Sequence, residues 1–169
     1  MIKLPTIILI IVLIAIFLIY MLYFKEYKDV MGNFQTLVKV LETRDLLLMR
    51  ILPEVNDKKI KEETARLVEQ RMQSKNTGCN NLIRSDVELN KQLVKTYKEI
   101  DKLKNALVRE EFKRIVSLEK KLKVIRREYN NAVERYNKNL IAHKKMCIKY
   151  LRMRPLDTYK IPEKSKISK

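Results

Sequence analysis

The sequence predicts an all-α protein: an N-terminal transmembrane helix followed by an antiparallel bundle of three to four long helices. Three observations carry this. Of 169 residues only 2 are Gly and 4 are Pro, whereas β and α/β folds use both at many tight turns. Residues 4–24, LPTIILIIVLIAIFLIYMLYF, are apolar and uncharged throughout. From Asp86 to Arg154 there is no Gly and no Pro, and apolar residues recur every three or four positions.

After a short N-terminus, residues 1–3, the first element is the anchor. At about 1.5 Å per residue, residues 4–24 span roughly 31 Å, matching a hydrocarbon core of about 30 Å. Tyr20 and Tyr23 stand at one end of the run, where amphipathic rings favour the interface. A cleaved signal has a shorter apolar region, about 7–15 residues, and a small-residue cleavage site. This run is longer and closes on Tyr, Met, Leu, Tyr, Phe, so an uncleaved anchor is expected. Only Lys3 precedes it, whereas Lys25, Lys28, Lys39 and Arg44 follow. Positive-inside counting therefore places the C-terminal domain in the cytoplasm, on a single-pass protein of the cell membrane. Cys79 and Cys147, read as free thiols, suit that reducing compartment.

Residues 25–154 read as the helical bundle. Phe34, Leu37, Leu41, Leu48 and Leu52 form an apolar stripe at helical spacing, and Pro53 ends or kinks that helix. Ile60, Thr64, Leu67 and Val68 share one side of a second helix running to about Ser74. Lys75–Asn81, KNTGCNN, is the clearest turn. Ser85-Asp86-Val87-Glu88 matches a capping box, which predicts a helix beginning at Asp86.

Read as one element, 86–154 is a helix of about 100 Å. Leu89, Leu93, Tyr97, Ile100, Leu103 and Leu107 make the first part of its stripe. Ile115, Leu118, Leu122, Ile125, Tyr129, Ala132 and Tyr136 then alternate by three and four, the seam of a helix packed at about 20° on its partners. Such a seam has to be covered. A turn near Leu103–Glu111, using Asn105, folds it into a hairpin whose halves cover each other. Residues 155–169, with Pro155, Pro162 and repeated Lys, read as a mobile basic tail.

Glu119 to Asn137 reads EKKLKVIRREYNNAVERYN. The block resembles the signature of the LemA family, E-x-x-I-x-x-A-R-x-x-Y-N-x-A-V-x-x-Y-N. Glu119, Arg126, Tyr129, Asn130, Ala132, Val133, Tyr136 and Asn137 fall on it, with Leu122 standing for the Ile. Phe112 suits the aromatic before this block, and Ile51-Leu52-Pro53-Glu54-Val55 is similar to the family's LIPNLV segment. The chain departs from the family elsewhere. Arg44-Asp45 lies well before Pro53, where the family has Arg-Arg-x-Asp-Leu-Ile-Pro. The family's Tyr-Pro turn between the last two helices is missing, and Leu140-Ile141-Ala142-His143 replaces its Phe-Pro. The resemblance implies a divergent member: an anchored bundle of long helices with no established catalytic residues.

Tyr129 and Tyr136 are seven apart, so both rings point along one seam, with Asn130 and Asn137 about 100° round the helix from them. Arg126 can lie on the Tyr129 ring or, extended, pair with Glu119. Two readings follow. In the first, these residues form a polar network that fixes helix register. In the second, Tyr129, Asn130, Tyr136 and Asn137 line a groove for a peptide or a headgroup. The first is preferred, because satisfied buried polar groups are the rule in native folds.

Catalytic chemistry finds little footing. Gly32 and Gly78 are too far apart for either a Walker A loop or a dinucleotide fingerprint. The single His143 cannot build the common zinc hydrolase sites. The position three before it, where a di-metal bundle requires Glu, is Leu140. No enzyme activity, cofactor or metal is expected. The 37 Lys+Arg against 20 Asp+Glu give +17, with clusters at Lys120, Lys121, Lys123, Arg126 and Arg127, and at Lys144 and Lys145. Anionic lipid is one candidate partner, at about 1 kcal/mol per basic residue near the surface. Nucleic acid is disfavoured, since few stacking aromatics interleave the basic runs. A binding or scaffolding module with a protein partner is the expectation. The alternative is a membrane-tethered basic coiled coil that binds anionic lipid or nucleic acid through charge.

Overall fold

The computed structural model describes residues 4–142 and 153–160. Among the described residues there are four helices and no strand: α1 Leu4–Ile51, α2 Lys58–Ser74, α3 Cys79–Asp101 and α4 Ala106–Ala142. Single 3-10 turns at Leu52–Glu54 and Lys75–Thr77 complete the connections. The all-helical class read from the sequence is the class observed.

α1 is one unbroken helix of 48 residues, about 72 Å long. It is long and apolar enough to cross a membrane. Every side chain from Pro5 to Leu18 is exposed, with Phe17 at 61 %. From Tyr23 the helix changes character. Tyr23, Val30, Phe34, Leu37, Leu41 and Leu48 are buried along one stripe, and each such burial is worth roughly 1.5–3 kcal/mol. Pro53 falls inside the 3-10 turn that ends α1. Asp57 then starts α2, its carboxylate accepting from the Ile60 amide at 3.0 Å, the standard way to satisfy an orphan helix donor.

α4 packs mainly on α1, and α3 mainly on α2. Along α1, ascending numbers meet descending numbers on α4: Glu26 meets Asn139, Phe34 meets Tyr129, and Arg50 meets Glu111. Two apolar clusters result. The first joins Val30, Leu37 and Leu41 to Leu122, Tyr129 and Val133. The second joins Leu48, Ile51, Val68, Leu93, Tyr97 and Ile115.

The predicted break in the long C-terminal stretch is present. α3 stops at Asp101 and α4 starts at Ala106, with Asn105 Oδ1 accepting from the Leu107 amide at 3.0 Å. The resulting halves do not chiefly cover each other, however. α4, with 37 residues, outruns α3, with 23. The seam of α4 is covered mainly by the buried half of α1.

Two further expectations are corrected. α3 begins at Cys79, directly after Gly78 with φ +104°, not at Asp86. Leu82 and Ile83 are buried and carry the apolar stripe back before Ser85. The Ser85 hydroxyl therefore faces the Leu82 carbonyl at 2.9 Å and the Ser74 hydroxyl at 2.7 Å instead of capping. The second correction concerns the segment read as a mobile tail. In its described part, residues 155–160 of the 155–169 so read, it is non-helical and bonded to the bundle, with Tyr159 only 3 % exposed. Residues 143–152 and 161–169 lie outside the description. The expectations for His143, Lys144, Lys145 and Cys147 fall there.

Candidate functional site

Two polar layers lie within the bundle. The first is a cluster of charges to which each helix contributes. Arg44 and Asp45 come from α1, Arg71 from α2, Asp86 and Asn90 from α3, Glu119 and Arg126 from α4. Arg44 donates to Asp45 at 3.1 Å, to Asp86 at 2.5 Å and to Glu119 at 3.2 Å. Arg126 reaches Asp86 at 3.2 Å and Glu119 at 3.5 Å. Arg71 pairs with Asp45, and Tyr97 donates to Glu119 at 3.3 Å. Arginines and carboxylates balance in number, which buried charges require.

The field of this cluster differs from residue to residue. Burial pushes the Asp86 carboxyl up, but Arg44, Arg126 and Arg71 outweigh it and hold the group below its ordinary value. At Asp45 burial wins over Arg44 and Arg71, and the carboxyl stands above its ordinary value. Burial opposes the Arg44 charge, yet Asp86, Asp45 and Glu119 together hold its proton tightly. Burial and then Glu119 push the Tyr97 phenol well up. Arg44, Asp45, Arg71 and Asp86 are 0 % exposed, so this inner part of the cluster fixes helices, and only Asn90, Glu119 and Arg126 stand toward its edge.

The second layer is a ladder between α4 and residues 154–159. Asn137 Nδ2 donates to the Leu156 carbonyl at 2.8 Å, and Asn137 Oδ1 accepts from the Leu156 amide at 3.0 Å. Asn130 treats Tyr159 identically, at 2.9 and 2.6 Å. The hydroxyl of Tyr136 donates to the Arg154 carbonyl at 3.2 Å, and that of Tyr129 to the Asp157 carbonyl at 3.4 Å. Asn80 accepts from the Asp157 amide at 3.1 Å. The spacing has a simple cause. Seven residues of helix rise about 10.5 Å, and three residues of extended chain cover about 10 Å. Asn130 and Asn137 therefore coincide with Tyr159 and Leu156, and Tyr129 and Tyr136 with Asp157 and Arg154.

Tyr159 joins the two layers. Its ring lies under the Arg126 guanidinium at 4.8 Å, a cation–π distance. Its hydroxyl accepts from Asn90 at 3.2 Å.

The residues singled out in the sequence thus divide between the layers. Glu119 and Arg126 belong to the charge cluster, and Arg126 pairs with Glu119 while covering Tyr159, not Tyr129. Tyr129, Asn130, Tyr136 and Asn137 build the ladder. Val133 is 0 % exposed and packs in the apolar cluster beneath them. Sequence reasoning missed Arg44, Asp45, Arg71, Asp86 and Asn90 as a set, and Leu156 and Tyr159 as partners of the doubled motif. The signal available for the latter was the matched spacing of the two segments.

Among the described residues no group of His, Cys, Asp or Glu is placed to hold a metal. Cys79 is a half-buried free thiol whose ionisation burial opposes. Comparison with family models, curated proteins and solved structures finds no match to this chain.

Proposed function

We propose that the chain is a single-pass membrane protein that holds an antiparallel helical bundle at the cytoplasmic face as a binding and scaffolding module, a divergent relative of the LemA family. One observation carries this reading. α1 passes without a break from a stretch that is exposed and apolar, Pro5–Leu18, to a stripe buried in the bundle core. A core helix of a soluble domain buries its apolar run, whereas this run is exposed among the described residues and has the length and composition of a lipid-buried one. The module is then rigidly continuous with its anchor. The LemA kinship rests on the doubled Tyr-Asn block, and the binding role on the polar ladder that block builds.

Binding through charge alone fits less well. Lys120, Lys121, Lys123 and Arg127 are exposed, but α4 there stands beside residues 34–44 of α1. That is about 15–30 Å along the axis from Phe24, beyond a screening length of about 8 Å.

Membrane fractionation tests the reading. The full chain is expected to stay in the pellet at alkaline pH, and extraction into the supernatant overturns the anchor. Crosslinking in intact membranes is expected to trap a protein partner on the bundle. A cysteine introduced at the exposed Lys121 should label only after the membrane is permeabilised.

A further inference from the structure

We infer that the α4 ladder is a site for an extended peptide, that residues 154–159 are its resident ligand, and that a partner segment of pattern Leu-Asp-x-Tyr replaces them. The inference rests on reading the bundle as a binding module, and is independent of the membrane anchor.

The segment is held as a bound peptide is held. Its main chain bonds to side chains of α4 and to Asn80, and among the described residues it makes no backbone–backbone bond to the bundle. Each Asn of the doubled motif spends its amide on one residue's N–H and C=O together, so these contacts read backbone and spacing but no side chain. Main-chain bonds of this sort give affinity, and pockets for alternate side chains give specificity.

Three side chains add the specificity. Leu156 packs half-buried on the apolar cluster. Tyr159 is buried beneath Arg126 and takes a bond from Asn90. Asp157 pairs with the exposed Arg84 at 3.3 Å. The ligand is therefore defined by an apolar residue, an acidic one beside it and an aromatic hydroxyl three after the first. A guest with further acidic residues also gains from the chain's net charge of +17.

Because the resident segment is covalently attached, its effective concentration is on the order of mM. A guest peptide must outcompete that, so the intact chain is expected to bind weakly and a chain with a weakened resident strongly.

The test uses the full chain in detergent and a fluorescent peptide with the sequence of residues 153–160. Tyr159→Ala and, separately, Leu156→Ala weaken the resident. Both variants are expected to keep the wild-type circular dichroism spectrum and to bind the peptide at least tenfold more tightly than the wild type does. Adding Asn130→Ala and Asn137→Ala should abolish binding, and a scrambled peptide should not bind at all. The inference is overturned if neither opened variant binds the peptide, or if binding survives loss of both asparagines. Loss of helical signal in both opened variants also overturns it, since the segment is then part of the fold and not a ligand. A wild-type chain that runs as a dimer with exchanged segments would assign the site to a second copy and overturn the partner peptide. None of these outcomes moves the membrane fractionation result. A partner trapped by crosslinking despite a failed peptide test leaves the module in place and removes only this use of the ladder.

Discussion

Arg44 and Asn130 stand in neighbouring layers of one bundle, and both satisfy buried polar groups. Arg44 does so with counter-charges drawn from three of the four helices, α1, α3 and α4. Asn130 does so with the main chain of a single non-helical residue, Tyr159. A charge cluster of this kind tolerates no other partner, because any lost carboxylate leaves a buried guanidinium uncompensated. An amide ladder is indifferent to the side chains of the segment it holds. The cluster can therefore fix which helices meet, while the ladder's amides read backbone and spacing and leave the choice of sequence to the contacts of Leu156, Asp157 and Tyr159.

The largest expected effect breaks the cluster. Arg44→Met leaves Asp45 with Arg71 alone and Asp86 with Arg126 alone, two buried positive charges against three negative ones in the cluster, and the loss of unfolding free energy should be about 3–5 kcal/mol. Chemical denaturation of the full chain in detergent measures it. Helices should loosen together, since the cluster draws on all four. A loss below about 1 kcal/mol would show that the apolar clusters alone set the helix arrangement.

Asp86→Asn acts on the same layer through a single charge and adds a sign. Hydrogen bonds to charged groups are worth about 1.5–3 kcal/mol each, and Asp86 serves both Arg44 and Arg126. The arginines hold the Asp86 carboxyl below its ordinary value of 3.8. Its contribution is accordingly complete above that pH and fades as pH falls through the depressed value. The wild type should therefore exceed Asp86→Asn in stability at pH 7, and the gap should close in acid. Asp45 is shifted the other way by burial, so the quantity to follow is the difference between the two chains and not either curve alone. A gap that widens in acid contradicts the assignment.

A weaker perturbation, on the ladder, separates the two layers. Asn130→Ala leaves the Tyr159 amide and carbonyl without their partner, at a cost of about 1–2 kcal/mol. The effect should be local. Hydrogen exchange at residues 154–159 should speed up while the helices keep their protection, the reverse of the pattern expected for Arg44→Met. Uniform loss of protection would merge the ladder with the core and erase the distinction between them.

The same contrast explains what was legible in the sequence. Periodicity carried the helices, because the stripe from Ile115 to Tyr136 is a local property of one element. Asn105 marked the α3–α4 break, since its side chain acts on an amide two residues away. The capping box at Ser85 misled, because Ser85 and Asp86 are used by tertiary partners, Ser74 and the arginines. The charge cluster was illegible for a related reason. Arg44 and Asp86 are 42 residues apart, and Arg44 and Glu119 75 apart, so each charge taken alone reads as a solvated surface residue. The ladder was half legible. The heptad spacing of Tyr129-Asn130 and Tyr136-Asn137 stood out, but its counterpart lay in a Pro- and Lys-containing stretch with the composition of a disordered tail. Composition lost there to four matched rungs from α4, and one further bond from Asn80, that only the folded chain displays.

Tyr159→Phe is the smallest perturbation and the most pointed, because it touches the one residue the two layers share. The Phe ring keeps its place beneath Arg126, and only the bond from Asn90 to the hydroxyl is lost. A single neutral hydrogen bond is worth about 0.5–1.5 kcal/mol. Asn90 also donates to Asp86 at 2.8 Å, which makes the pair Tyr159→Phe and Asp86→Asn a double-mutant cycle across the boundary. Groups in one hydrogen-bond network show coupling of about 0.5 kcal/mol or more, whereas independent sites add to within about 0.3–0.5 kcal/mol. Coupling above that margin means that occupancy of the ladder is felt by the cluster, so a change of ligand would reach all four helices. Strict additivity means that the bundle holds its shape whatever sits on the ladder, and the two layers are then separate devices on a common frame.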